Sequence, residues 1–261
     1  MDGEILMKIG TLIYTIIQMS TLRVKGVIVF VLLKLFLIPS VKDIITGVIN
    51  KAGNIEIISY TNIDKSFSVL IKEIKAEKRI LLHVVEAYHL YSFVKATANI
   101  EGDIAEVGVY KGGSAKIICE TRDNSKSIHL FDTFEGLPYE TTEKIDEVYE
   151  KGHCAASFDD TKEYLSEYNN VYFYKGIFPL TATPVKDKVF SFVNLDVNVY
   201  RSTFDCLTFF YIRMSPGGII ISHDYTSKGI KKAFDIFFKD KPEVVIKLVG
   251  SHCMVVKSTN I

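Results

Sequence analysis

The sequence predicts an α/β fold: a seven-stranded, mostly parallel sheet ending in an antiparallel hairpin, preceded by a hydrophobic helical extension. Three observations carry that expectation. Beyond Gly102 short apolar runs alternate with segments long enough for helices. The first run ends in a glycine-bearing turn, and only Gly250-Ser251-His252-Cys253 separates the last two runs.

Taken in chain order, residues 1–60 read as a leader, closed off by Pro39 and the Gly53-Asn54 turn signal. From Ile5 to Ile38 the only charges are Lys8, Arg23, Lys25 and Lys34. The apolar run Val27–Leu33 is shorter than the roughly 20 residues of a spanning helix. Residues 5–38 therefore read as a homo-oligomer-interface or core helix, as one lying in peripheral contact with a membrane surface, or, if the run extends back across Lys25 and Arg23, as a true span. From Asp64 to Ala98 the pattern is helical, with Phe67, Leu70, Ile71 and Ile74, then Leu81, Val84, Val85 and Tyr88, at three- and four-residue steps.

The strands are expected at Ile104–Val109, Ser127–Phe131, Val171–Tyr174, Val189–Leu195 and Gly218–Ser222, then Val244–Val249 and Met254–Val256. The long segments between the first five imply crossover helices and parallel pairing. The four-residue link between the last two implies a hairpin at the sheet edge. An acidic, lysine-bearing insertion at Tyr139–His153 reads as a lid or solvated face.

Composition excludes several functions. The chain has 261 residues, with 31 basic and 31 acidic side chains, so no basic field points to nucleic acid. Cys119, Cys154, Cys206 and Cys253 are scattered, which argues against a zinc site and for reduced thiols in the cytoplasm.

In an open parallel sheet, ligands bind beyond the carboxyl ends of the strands, where the strand order reverses. The first such end reads Glu106-x-Gly108, with Gly112-Gly113-Ser114 opening a helix. Glycine permits the tight turn and a close ligand approach. An acid two residues before Gly108 would repel a pyrophosphate but suits a ligand with ammonium and sulfonium charges. Asp132 ends the second strand, 24 residues past Gly108. It is placed either to bond ribose hydroxyls or to cap a helix. Asp196 and the His223-Asp224 pair end the fourth and fifth strands. Two carboxylates and an imidazole can hold a divalent cation, although each can also cap a helix.

At these residues the sequence resembles the macrocin O-methyltransferase (TylF-type) family. The matching runs are Gly102-Asp103-Ile104-Ala105-Glu106-Val107-Gly108-Val109-Tyr110-Lys111-Gly112-Gly113-Ser114 and Asp132-Thr133-Phe134-Glu135-Gly136-Leu137-Pro138. They continue through Leu195-Asp196-Val197-Asn198-Val199-Tyr200-Arg201-Ser202-Thr203, Ser215-Pro216-Gly217-Gly218, His223-Asp224-Tyr225 and Gly229-Ile230-Lys231-Lys232-Ala233-Phe234-Asp235. The resemblance implies a Rossmann-like class I methyltransferase fold over residues 61–261. It also implies S-adenosylmethionine as cofactor, a divalent metal (Mg2+ or Mn2+), and a sugar or glycan-like hydroxyl as acceptor. Carried over residue by residue, Glu106, Gly108, Gly112, Gly113 and Ser114 would contact the methionine part, with Tyr110 a further cofactor-binding position. Asp132 would bind the ribose, and Ser157 would begin the helix that borders the adenine pocket. Asp196, His223 and Asp224 would hold the metal.

Two departures from the family pattern matter. His223 stands where members often carry an Asp, and imidazole favours a transition ion over Mg2+. Asn198 stands where the family has the Asp that takes the acceptor's proton, and an amide cannot act as a base. Asn198 and His223 are thus the expected catalytic positions, with His223 a proton acceptor if it is not a ligand. The alternatives are a catalytically weakened cofactor-binding module of the same fold and a nicotinamide-linked oxidoreductase. The missing GxGxxG and the antiparallel ending count against the second.

Overall fold

A computed structural model of the protein describes residues 64–137, 145–146 and 151–259. The leader at 1–60 and most of the insertion at 139–153 lie outside the described residues.

The stretch expected to be continuously helical divides in two. Helix α1 (Lys65–Ala76) starts where the Asp64 carboxylate accepts from the Ser66 N–H, and buries Phe67, Leu70, Ile71 and Ile74. The chain then turns at Lys78, whose φ is 56°. Helix α2 (Val84–Ala96) begins with the Glu86 carboxylate accepting from the His83 N–H at 2.9 Å. Its buried face is Glu86, Ala87, Leu90, Tyr91 and Val94. The periodicity through Leu81 was therefore out of phase: the break reset the helix, and Leu81 is 69% exposed.

The sheet follows as expected, with strand boundaries shifted by at most two residues except at the fifth, which begins four residues earlier, at Met214. Strand β1 (Asp103–Val107) leads to α3 (Gly113–Thr121), β2 (Ile128–Asp132), α4 (Phe158–Tyr164) and β3 (Val171–Lys175). Strand β4 (Phe190–Leu195) leads to α5 (Tyr200–Tyr211), β5 (Met214–Ser222) and α6 (Lys228–Phe237). The last strands are β6 (Ile246–Lys247) and β7 (Cys253–Val256). The β3–β4 connection departs from the helical expectation, carrying only a 3-10 turn at Thr183–Val185. The order is β3-β2-β1-β4-β5-β7-β6, with β7 antiparallel to both neighbours and the others parallel. On one face Val107, Phe131, Val193, Leu195 and Ile220 pack against Leu207 and Phe210 of α5 and Ile230 and Phe234 of α6. On the other, α2 and α3 pack together.

The order reverses between β1 and β4, so a crevice opens there at the carboxyl ends. Register makes those ends level. Val107 pairs with Phe131 and Leu195, and Leu195 with Ser222. The next residue of each strand continues the ladder: Gly108 N–H to Phe131 O, Asp196 N–H to Val107 O, His223 N–H to Leu195 O, at 2.8–2.9 Å. Asp132, Gly108, Asp196 and His223 therefore share one row.

Candidate active site

That row floors a cavity of about 610 Å3. Of the residues expected at the site, Gly108, Tyr110, Ser114, Asp132, Asp196, Asn198, His223 and Asp224 line it. Glu106, Gly112, Gly113 and Ser157 are not among the residues that line it.

The glycine turn is shaped by Asp132. One carboxylate oxygen accepts from the Val109 and Tyr110 N–H groups at 2.7 and 2.8 Å, and the other from Phe134 N–H at 2.7 Å. No helix begins directly after Asp132, so the helix-cap alternative gives way to a cap on two turns. Tyr110 is held at φ 52°, a left-handed conformation costing about 1 kcal/mol for a residue with a side chain. Gly108, at φ 92°, has no such freedom: a Cβ there would lie 1.9 Å from the Asp196 carbonyl oxygen. Helix α4 braces the turn from outside, where Thr161 Oγ1 donates to Tyr110 O. Ser157 is exposed, and its hydroxyl caps α4 by accepting from Asp160 N–H at 3.2 Å.

Glu106 is fully buried and pairs across the β1–β4 register with Asn194, whose amide donates to it at 2.7 Å. Among the described residues its second carboxylate oxygen has no hydrogen-bond partner. Burial pushes this carboxyl up to about 8 against the Ser114 and Asn194 side chains, which favour its charged form, and the Asp196 and Asp132 charges add to the rise.

Beyond the turn, Asp196, His223 and Asp224 bring one ligand atom each to within 4.8 Å of one another. His223 Nδ1 lies 3.3 Å from both Asp196 Oδ1 and Asp224 Oδ2. Its Nε2 lies 3.5 Å from Glu86 Oε2. Burial opposes a charged ring, but the three carboxylates outweigh it and push His223 up to about 12. Asp224 and Asn198 both have left-handed backbones, φ 54° and 61°, the class of strain that gathers at functional sites. The two carboxylates are each about a third exposed toward the cavity.

Sequence reasoning missed Glu86, Asn194 and the cavity mouth. Arg79, Leu81, Ile177, Leu180, Arg201 and Asp205 border that mouth. A lone acid on a helix carries no signal of burial, and the loop at 176–180 carries no diagnostic pattern. Asp146, inside the insertion, accepts from the Tyr200 N–H at the start of α5.

Comparison with known proteins places this geometry. Residues 89–249 match the family model described as Macrocin-O-methyltransferase (TylF). A Streptomyces olivaceus protein, 8-demethyl-8-(2,3-dimethoxy-alpha-L-rhamnosyl)-tetracenomycin-C 4'-O-methyltransferase, is 26% identical over 51% of this chain and 57% of its own length. The demethyldecarbamoylnovobiocin O-methyltransferase of Streptomyces niveus is 27% identical over 49% of this chain and 54% of its own. The aligned region thus spans somewhat more than half of these relatives. The solved O-methyltransferase NovP shares the fold, with a TM-score of 0.59 and 20% identity over 69% of this chain and 83% of that one.

Proposed function

The chain belongs to the macrocin-O-methyltransferase (TylF) family, and on that premise we propose that it transfers the methyl group of S-adenosylmethionine to a sugar hydroxyl with the help of a divalent cation. The observation that carries this reading is the shared row: the Asp132-braced turn and the Asp196–His223–Asp224 cluster open into one cavity. A methyl donor held at the first would lie beside an acceptor held at the second.

The residues fit both groups. Acidic side chains surround the glycine turn, as an ammonium and a sulfonium require. Ser114 and the backbone at Gly108–Tyr110 would hold the methionine part, with Gly112 and Gly113 shaping the turn behind them. Asp132 keeps lone pairs for ribose hydroxyls while bracing the turn. The buried Glu106 would lie beneath the turn, where a bound cationic group would draw its carboxyl toward the charged form, and Ser157 would act through α4. For a cation, the two oxygens and one nitrogen of Asp196, Asp224 and His223 converge and leave positions open to the cavity. A bound cation would supply Lewis acidity that lowers the acceptor hydroxyl's pKa.

Asn198 lines the same cavity but can only orient the hydroxyl, since its amide takes no proton. This favours a second reading of the same site, a weakened catalyst that retains cofactor binding. The exposed Leu81, Ile177 and Leu180 give the mouth an apolar rim, suited to a sugar carried on an apolar scaffold. The Streptomyces olivaceus relative acts, by its name, on a rhamnosyl-bearing molecule. The test is methyl transfer from labelled S-adenosylmethionine to rhamnosides on apolar scaffolds, with Mn2+, with Mg2+ and with chelator. Cation-dependent labelling of the sugar supports the proposal; labelling that chelator leaves unchanged removes the cation from it.

A further inference from the structure

Glu86 and Ser251 fall outside the span 89–249 that matches the family, yet they meet directly behind His223. Glu86 is 1% exposed. Its Oε1 accepts from the Ser251 N–H at 2.9 Å and from the Ser251 hydroxyl at 2.8 Å. Its Oε2 accepts from His83 N–H at 2.9 Å and faces His223 Nε2 at 3.5 Å. Gly250 makes this approach possible, because a Cβ there would lie 2.8 Å from Glu86 Oε1. The His252 ring, itself fully buried, packs edge-on against the His223 ring with centroids 5.2 Å apart. The His223 ring is thus fixed from behind by a carboxylate and from the side by a second imidazole.

A histidine ligand needs a lone pair on one ring nitrogen and a proton on the other, and a carboxylate facing the second nitrogen sets that tautomer. Here Nδ1 faces Asp196 and Asp224, and Nε2 faces Glu86. We propose that Glu86, held by Ser251 and His83, is the positioning residue that keeps the proton on Nε2 and presents Nδ1 to a cation, tuning the site toward first-row transition ions. The proposal rests on the cation reading above. Imidazole nitrogen binds such ions better than it binds Mg2+. The ring ligates through Nδ1 as the tautomer protonated at Nε2, and a carboxylate opposite favours that tautomer by accepting the Nε2–H as a hydrogen bond. An aspartate at 223 would gain nothing from Glu86, since two carboxylates face to face repel.

Pulsed paramagnetic resonance on the full chain loaded with Mn2+, together with Mn2+ titration, tests this. The wild-type chain should bind one Mn2+ with coupling to a directly ligated imidazole nitrogen. E86Q should weaken Mn2+ binding by about 10-fold to 100-fold, the usual effect of removing such a partner. S251A should weaken it less, in the same direction. In the H223D background, E86Q should no longer weaken binding, an outcome that a purely structural role for Glu86 would not give. Equal losses in both backgrounds overturn the positioning role, as does bound Mn2+ without nitrogen coupling, which needs no variant to fold. No Mn2+ binding by the wild-type chain overturns the cation reading itself, and this inference with it.

Discussion

Asp132 Oδ2 accepts the Tyr110 backbone N–H at 2.8 Å, and Tyr110 sits at a left-handed φ of 52°. One carboxylate at the end of β2 therefore sets the shape of a turn that belongs to β1 and α3. Replacing Asp132 with alanine leaves three N–H groups without their acceptor, at a cost of about 1–3 kcal/mol each where water cannot reach them. D132A should lower the apo melting temperature and cut S-adenosylhomocysteine affinity at least tenfold. An unchanged apo melt would show that the turn holds its shape alone.

Gly108 makes a sharper case. A methyl group at its Cα would sit 1.9 Å from the Asp196 carbonyl oxygen, so β1 and β4 could not keep their register beyond Val107 and Leu195. G108A should abolish cofactor binding and weaken Mn2+ binding together, because Asp196 moves with its backbone. Loss of one without the other, read by titration of each ligand, contradicts that coupling.

Much of this arrangement was legible in the sequence. The strands, the terminal hairpin and the strand-end residues Gly108, Asp132, Asp196, His223 and Asp224 can be read locally, since a strand end is marked where an apolar run stops. The break at Lys78 was hidden because apolar residues on both sides keep helical spacing, and only tertiary packing decides which of them are buried. Glu86 was hidden because its meaning comes from Ser251 and His223, both more than a hundred residues away. The crossover at 176–189 carries turns and a single 3-10 turn at Thr183–Val185 instead of the expected helix, because its length was the only guide in the sequence.

Glu106 gives the apo protein a pH dependence of defined sign. Its folded pKa is raised from 4.5 to about 8, so its contribution to stability is fully present below 4.5 and is lost as pH rises through about 8. E106Q keeps an acceptor for Asn194 and removes the titration. Melts of the apo chain between pH 5 and 9 should show the wild type losing stability relative to E106Q as pH rises. Parallel profiles would mean that Glu106 is charged in the folded state throughout.

Asn198 is the position where chemistry should respond most. N198D supplies the proton acceptor that the amide cannot, and general-base catalysis contributes about 10²–10⁴-fold. Methyl transfer by N198D should rise within that range while cofactor affinity stays the same. An unchanged rate would mean that the proton already has another acceptor.

The central claim is that the row of strand ends binds S-adenosylmethionine, and titration calorimetry with S-adenosylhomocysteine on the full chain tests it most directly. The account predicts saturable binding at one site, lost in G108A, and no heat from NAD. Saturable binding of NAD with none of S-adenosylhomocysteine would contradict it.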